Sequence, residues 1–228
     1  MNILAVDTST ALLGIGLKTG ESYYEINQDV GLHHTENLLA EIDTLLHKAN
    51  LGYRNLELLV VSKGPGSFTG LRIGMAAAKG ISFGTGAPLI SVPSLDICAR
   101  GKAYFDGTVC PVIDARKQRV YTALYKGGQR ESDYLDISPR ELLQKCIRRG
   151  RVLLTGSFAA DLLDMWGETD ASVLLDPQYG RPLTWELLKY GAELYTAQGP
   201  DSPTEGPLYI RPSEAEMSLK NRRDIEGK

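Results

Sequence analysis

The residues best suited to chemistry lie in one glycine-rich segment, residues 63–74, which reads KGPGSFTGLRIG. Its glycines permit backbone conformations that other residues resist, and Ser67 or Thr69 can cap the helix that follows. Free backbone N–H groups at a helix N-terminus bind anions, so the segment predicts an anion or nucleotide site that includes Gly66, Ser67 and Thr69. A tight strand-to-helix turn without a ligand explains the same residues. The segment matches neither a Walker A loop nor a GxGxxG motif.

A second candidate follows the first apolar run, where Asp7, Thr8 and Ser9 come directly after residues 3–6. Open α/β sheets bind ligands at the carboxyl ends of their strands. A carboxylate followed by hydroxyl groups suits a hydrated Mg²⁺ and a phosphate, so we predict a vestigial nucleotide or anion site that joins these three residues to the glycine-rich segment. An Asx-type turn is the structural alternative.

The sequence lacks the residue patterns that metal-dependent and hydrolytic enzymes usually need. The chain has three histidines, and the positions four residues after His33 and His34 are Asn37 and Leu38. No helical pair of metal ligands therefore forms, and no carboxylate–histidine cluster or Ser-His-Asp arrangement is visible. We predict no metal site and no catalytic residue, which also argues against a protease.

The helix predicted over residues 71–83 carries small residues at every fourth position. Glycine inside a helix costs about 1 kcal/mol relative to alanine, so close packing must offset the cost. The chain's own sheet and a helix of a partner subunit are both suitable neighbours, and one helix with two faces can contact both. The small residues are Gly70, Gly74, Ala78 and Ser82, with Leu71 and Met75 beside them.

Hydrophobic patterning places these residues in an order of β-β-β-α-β-α that occurs twice. Apolar runs at residues 3–6, 12–17 and 23–26 predict three strands, and a stripe over residues 35–48 predicts a helix. The order begins again at residue 108, and the new first strand ends at Asp114 as the old one ends at Asp7. The repeat predicts an α/β fold of two facing lobes, residues 1–104 and 105–228.

Composition narrows the class of protein. The 228 residues are 43% hydrophobic and carry 25 basic against 28 acidic side chains, a net charge of −3. These values exclude an intrinsically disordered chain and a protein that holds nucleic acid by bulk positive charge. Three cysteines without CxxC spacing, no signal peptide and no membrane-spanning run predict a cytoplasmic protein. One basic run fits a solvated helix end or a local RNA contact: Lys145, Arg148, Arg149 and Arg151.

Four segments resemble the TsaB family, also called YeaZ: ILAVDTSTALLGIGL, KGPGSFTGLRIGMAAAKG, VIDARKQRVYTALY and PLYIRP. Together they run nearly the whole length of the chain. The resemblance implies the duplicated fold of two ribonuclease-H-like lobes shared by actin, sugar kinases and heat-shock ATPases. It also implies a role in making threonylcarbamoyladenosine at adenosine 37 of tRNAs that read codons starting with adenine.

The resemblance further implies a non-catalytic scaffold that forms a heterodimer with the transferase TsaD and helps to recruit the ATPase TsaE. TsaD holds its metal through an HxxxH pair, whereas this chain has His34 followed by Leu38. The chain would contact tRNA only through the complex. ATP or ADP with Mg²⁺ would bind at the complex interface, and this chain alone would bind no cofactor tightly. The implied partner-binding residues lie on the two first-lobe helices: His34, Leu38, Gly70, Leu71, Gly74, Met75, Ala78 and Lys79.

Two further expectations stay open beside the scaffold. A nucleotide-dependent, kinase-like or ATPase enzyme would use Asp7 and the loop from Gly64 to Gly70. In the absence of its partner protein, this chain would keep an unpaired helical face, which is suited to a symmetric homodimer. After the PLYIRP segment, the polar tail over residues 213–217 departs from the apolar continuation of other family members.

Overall fold

Two α/β lobes with the same plan make up the computed structural model, which describes residues 1–31, 33–168 and 172–211. The first lobe contains β1 (Ile3–Asp7), β2 (Leu12–Thr19), β3 (Ser22–Asp29), α1 (His34–Lys48), a 3₁₀ turn (Tyr53–Asn55), β4 (Leu58–Gly64), α2 (Phe68–Thr85), β5 (Leu89–Pro93) and α3 (Ser94–Arg100). The second contains β6 (Thr108–Asp114), β7 (Val120–Thr122), β8 (Tyr125–Lys126), β9 (Gln129–Arg130), β10 (Leu135–Ile137), α4 (Pro139–Ile147), β11 (Arg151–Thr155), α5 (Ala159–Trp166), β12 (Ser172–Leu175) and α6 (Thr184–Gln198).

The two sheets repeat one strand order, which confirms the predicted duplication. The first sheet runs β3-β2-β1-β4-β5, and the main path of the second runs β10-β7-β6-β11-β12. In each lobe the first strand is central, pairs antiparallel with the second and pairs parallel with the strand that follows the first long helix. Asp7 and Asp114 therefore stand at equivalent strand ends, one in each lobe.

The run over residues 120–125 is rich in residues that favour strands, which predicts one strand, but it forms two in the structure. Val120–Thr122 pairs with the end of β6, whereas Tyr125 pairs with Val109 near its beginning. Leu124 lies between them and donates its N–H to Ser132 Oγ at 3.0 Å instead of continuing a ladder. The alternation of side chains cannot show this break, because both pieces are buried against the same sheet.

Helix α6 belongs to the second half of the sequence but packs on the first sheet. Leu187 and Leu188 are buried in a cluster with side chains of β1, β4 and β5. The approach is so close that a Cβ at Gly191 would lie 2.2 Å from Val60 Cγ1. The lobes therefore share a layer that the sequence did not reveal, and the division of the chain at residues 104 and 105 stays a prediction.

After α6, the chain returns along the first lobe as a segment that we call the C-terminal strap, residues 199–211. Asp201 donates its N–H to Leu89 O at 2.8 Å, and Leu208 donates to Lys63 O at 2.7 Å. Lys63 Nζ also pairs with Glu205 Oε1 at 2.8 Å. The strap thus fastens the C-terminal part of the chain to β4 and β5. The polar tail over residues 213–217 lies outside the described residues.

The inward face of α2 explains why small residues recur in it. A Cβ at Gly74 would lie 2.3 Å from Thr8 Oγ1, and one at Gly70 would lie 2.1 Å from Thr8 O. Ala78 is 2% exposed and joins the same core. The glycines therefore let α2 approach the end of β1 at backbone distance, so packing on the chain's own sheet accounts for the inward stripe. No helix among the described residues is both long and apolar enough to span a bilayer.

Replacing Gly74 by alanine tests this close approach. We expect Gly74→Ala to lower the free energy of unfolding by about 1–3 kcal/mol, because the methyl group overlaps Thr8. Gly80→Ala in the same helix is the matched control, since nothing lies within 4 Å of its added Cβ. That variant gains helix propensity and should be more stable by about 0.5–1 kcal/mol. Urea unfolding measures both, and equal effects of the two substitutions would contradict the packing role.

Candidate functional site

A cleft of about 820 Å³ lies between the carboxyl end of β1 in the first lobe and that of β6 in the second. The position is the one at which open α/β sheets bind ligands. Residues of both lobes and of the C-terminal strap line it: Ser9, Thr10, Gly66, Ser67, Phe68, Thr69, Arg72, Asp114, Arg116, Lys117, Tyr121, Ser157, Phe158, Asp161 and Arg211, among others.

The first-lobe wall joins the turn after β1 to the N-terminus of α2. Ser67 Oγ caps the helix by accepting the N–H of Gly70 at 3.2 Å, and Ser67 N–H donates to Ser9 O at 2.7 Å. A Cβ at Gly66 would lie 2.3 Å from that same carbonyl oxygen. Four of the six residues predicted for a nucleotide or anion site, Ser9, Gly66, Ser67 and Thr69, therefore line one cleft.

Asp7 and Thr8, the other two, have local structural roles. Asp7 Oδ1 accepts the N–H of Ser9 at 2.9 Å, which forms the Asx-type turn named above as the structural alternative. The same oxygen also accepts the hydroxyl of Ser62. The Asp7 side chain lines a separate small cavity of about 30 Å³ with Ser94 and other neighbours. Thr8 is fully buried, and its hydroxyl donates to Gly70 O at 2.8 Å. The ligand contact predicted for Thr8 stays a prediction, and in this structure its hydroxyl serves packing between β1 and α2.

The second-lobe wall contains a basic loop that sequence reasoning did not single out. Asp114 Oδ1 accepts the N–H of Arg116 at 2.7 Å, as Asp7 does with Ser9 in the first lobe. Arg116, Lys117 and Gln118 all have left-handed backbones, with φ of 59°, 55° and 55°. Such a conformation costs about 1–2 kcal/mol per residue for a side chain other than glycine. The segment is thus held in a strained shape with two of its basic residues lining the cleft.

The C-terminal strap supplies the third part of the cleft mouth. Tyr209 packs on Phe68 with ring centroids 4.7 Å apart, and its hydroxyl accepts from Arg72 Nε at 3.0 Å. The Arg72 guanidinium lies 4.0 Å from the centroid of the Phe68 ring. Two residues later, Arg211 donates to Asp136 and to Ala115 O in the second lobe. Three of the segments that carry the family resemblance therefore meet here.

Asp136 is the second-lobe anchor of the strap. Burial alone would raise the pKa of this carboxyl, but hydrogen bonds from Arg211 and Arg119 hold the pKa below its usual value. Arg211 Nε and Arg119 Nε each lie 2.8 Å from one of its oxygens. The carboxylate is therefore ionised at neutral pH and ties the strap to β10, so Arg211 reaches the cleft with its charge already paired.

The cleft is suited to an anionic or phosphate-bearing ligand. A capped helix N-terminus faces it, together with hydroxyl groups and four basic side chains against two acidic ones, Asp114 and Asp161. Within the described ranges, no three His, Cys, Asp or Glu side chains are grouped so as to hold a metal ion.

The partner-binding residues that the resemblance implied stay a prediction, and the structure shows where they lie in the chain itself. Seven of the eight are buried in the first lobe. They are His34, Leu38, Gly70, Leu71, Gly74, Met75 and Ala78. The eighth, Lys79, is half-buried and donates to Pro203 O of the strap at 2.9 Å.

A different set of residues faces outward on the same two helices, and we call it the outer face of α1 and α2. Leu39 is 50% exposed and Phe83 is 95% exposed. Ala76 and Gly80 are exposed as well, and nothing lies within 4 Å of a Cβ built on Gly80 or Gly84. The positions 76, 80 and 84 form a second stripe of small residues, on the solvent side of α2. The residues that the resemblance implied on α2 lie instead on its inward stripe.

The comparisons with known proteins agree with this geometry. The sequence model of the family described as "TsaD: tRNA N6-adenosine threonylcarbamoyltransferase" matches residues 26–152. The "tRNA threonylcarbamoyladenosine biosynthesis protein TsaB" of Bacillus subtilis is 34% identical over 177 residues, 76% of this chain and 69% of that protein. The Escherichia coli protein of the same name is 26% identical over 234 residues, 97% of this chain and 100% of its own length.

Solved structures share the fold. YeaZ from Pseudomonas aeruginosa superposes with a TM-score of 0.76 over 92% of this chain and 99% of that one, at 22% identity. An inorganic polyphosphate/ATP-glucomannokinase from an Arthrobacter species superposes with a TM-score of 0.52 over 86% of this chain and 99% of its own, at 10% identity. At these identities the likeness concerns the arrangement of the two lobes and not the chemistry.

The buried histidine gives a pH dependence that can be measured. His34 is 3% exposed, and burial lowers the pKa of its ring, whose Nε2 has no hydrogen-bond partner among the described residues. The unfolded chain therefore takes up the proton first, and stability present above about pH 6.5 is lost as the pH falls, by at most about 1.4 kcal/mol per pH unit.

We expect His34→Gln to flatten this dependence in urea unfolding between pH 7.5 and 5.5. His47→Gln, at an exposed site on the same helix, should keep the parent slope. Parallel profiles for the parent and His34→Gln would contradict the assignment.

Proposed function

The chain belongs to the TsaB family, and on that premise we propose that it is a scaffold subunit in the formation of threonylcarbamoyladenosine on tRNA. In this proposal it pairs with the transferase TsaD and carries no catalytic residue itself. The reaction concerns adenosine 37 of tRNAs that read codons starting with adenine. The observation that carries the proposal is the outer face of α1 and α2, where the almost fully exposed Phe83 lies among exposed small residues.

The outer face combines a large apolar side chain with open space for a partner's backbone. Phe83 is almost fully exposed, and its burial in a complex would remove apolar area from water. Gly80 and Gly84 lie on the same side of α2 and meet no neighbour of their own chain. Small residues let two helices approach closely, while an aromatic side chain beside them is a typical anchor of a protein–protein interface.

The match to the TsaD family model supports the choice of partner. The matched residues, 26–152, include α1 and α2. A transferase with a similar lobe would present comparable helices, so the two proteins can pair through like surfaces. The same surface is suited to a symmetric homodimer when the chain is alone. The proposal has three further parts. The pair of proteins recruits the ATPase TsaE, tRNA is contacted through the complex, and ATP or ADP with Mg²⁺ binds at the complex interface.

The interlobe cleft favours one alternative, a nucleotide-dependent enzyme of the kinase or ATPase class. Ser67, Thr69 and the basic loop after Asp114 would hold the phosphates, and Asp7 with the loop from Gly64 to Gly70 would act on them. Against direct catalysis by Asp7, one of its oxygens already accepts two hydrogen bonds within its own turn.

Nucleotide turnover separates the two functions. We expect the isolated chain to show no ATP hydrolysis with Mg²⁺ above a buffer control, because Asp7, the carboxylate on which the enzyme hypothesis relies, is already hydrogen-bonded within its own turn. Calorimetry on the same sample reports whether ATP binds without turnover. Hydrolysis that is abolished by Asp7→Asn would favour the enzyme and contradict the scaffold.

A charge on the outer face tests the pairing. We expect Phe83→Glu to weaken association with TsaD by about tenfold or more, because an unpaired carboxylate would be buried at an apolar contact. Met165→Glu is the matched control, since that side chain is also apolar and 63% exposed but lies on α5 of the second lobe. Analytical gel filtration and calorimetry measure association, and tRNA modification by the mixture should fall in parallel. Equal affinity of parent and Phe83→Glu would remove the outer face from the interface.

A further inference from the structure

Basic side chains surround the beginning of β6 and β11 at the end of the second lobe that lies opposite the cleft. We call this region the basal surface, and all of its basic residues are exposed. They form a local positive cluster on a protein whose net charge is −3. Its members are Lys126, Arg130, Lys145, Arg148, Arg149 and Arg151.

Strand register makes this surface continuous although its residues come from separate parts of the sequence. Val109 of β6 pairs with Tyr125 on one side and Leu153 on the other, so Lys126 and Arg151 flank the start of the same strand. An ion pair between Arg149 and Glu131 links the end of α4 to the segment after the β8–β9 hairpin.

Aromatic rings lie among the charges and hold two of the guanidinium groups in place. The Arg151 guanidinium is 5.3 Å from the centroid of the Phe105 ring, and that of Arg130 is 4.0 Å from the Tyr134 ring. Tyr104, beside Phe105, is 79% exposed. Acidic side chains near these basic groups include Asp106, Glu131, Asp133 and Glu141; Glu131 is paired with Arg149, and Glu141 lies one helical turn before Lys145 on α4.

We propose that the basal surface binds the phosphate backbone of the tRNA. The inference rests on the proposed function, which brings a tRNA to the complex. Planar guanidinium groups bind phosphate oxygens in a bidentate manner, and the exposed ring of Tyr104 can stack on an unpaired base. The surface belongs to the second lobe, whereas the outer face of α1 and α2 belongs to the first, so one chain can use both at once.

The test uses an unmodified tRNA transcript that reads codons starting with adenine, labelled for fluorescence anisotropy. The double variant Arg148→Gln with Arg151→Gln is compared with the parent, each as the full chain alone and mixed with TsaD. Lys145→Gln with Arg148→Gln is a second variant that leaves the ring contact of Arg151 intact. The matched control, Lys18→Gln with Lys189→Gln, removes two positive charges from β2 and α6. Thermal unfolding checks that each variant is folded.

We expect both basal variants to bind tRNA about tenfold or more weakly than the parent, with a less steep dependence of affinity on salt. Each lost phosphate contact lowers the slope of log K against log[salt] by about 0.7–0.9. The control should keep the parent affinity and slope. Unchanged binding by both basal variants, or an equal loss in the control, would overturn the proposal.

Two further readouts keep this result separate from the pairing with TsaD. Gel filtration of each variant with TsaD reports association without RNA, and we expect both basal variants to pair as the parent does. If the parent chain fails to pair with TsaD, the scaffold function is refuted. The binding of tRNA by the isolated chain is still tested by comparing the parent with the same basal variants. A basal surface that binds poly-glutamate as tightly as tRNA at equal salt would fit an acidic protein partner and would also overturn the RNA assignment.

Discussion

The contact between α2 and the end of β1 is the constraint on which the rest of the first lobe depends. Gly70 and Gly74 bring the helix within backbone distance of Thr8, and no larger residue fits there without displacing one of the two elements. The same approach places Ser67 against Ser9, so the first-lobe wall of the cleft is formed by packing as much as by sequence motif. Because the inward side of α2 packs closely on its own sheet, the helix stays fixed in place even though its opposite side is exposed to solvent.

The two lobes are fastened by elements that cross between them. Helix α6 lies on the first sheet, and the C-terminal strap runs along β4 and β5 before Arg211 reaches Asp136 in the second lobe. These contacts join the C-terminal part of the chain to both lobes, so the residues that line the cleft are held by the strap as well as by their own sheets.

Sequence patterning predicted the duplicated fold and the order of the elements, because period-2 and period-3.6 patterns report which residues are buried within one element. It did not predict that α6 packs on the other lobe, since Leu187 and Leu188 are apolar whichever sheet they cover. For the site, motif spacing found Ser67 and Thr69 but missed Arg211, whose place depends on contacts between residues 75 positions apart. It also left the inward stripe of α2 open to either the chain's own sheet or a partner helix, because small residues look the same on either face of a helix.

Assigning the two outward surfaces to different lobes resolves a conflict in the charge of the protein. A chain with a net charge of −3 repels RNA at long range, yet a role in tRNA modification requires it to approach RNA. Surface charges interact over about one Debye length, roughly 8 Å at physiological salt. A cluster of basic residues such as Arg148 and Arg151 therefore sets the local potential whatever the sign of the whole. In the proposal, the exposed residues Phe83 and Gly80 lie on the first lobe and the basic cluster on the second, so a protein and the RNA would bind different parts of the chain.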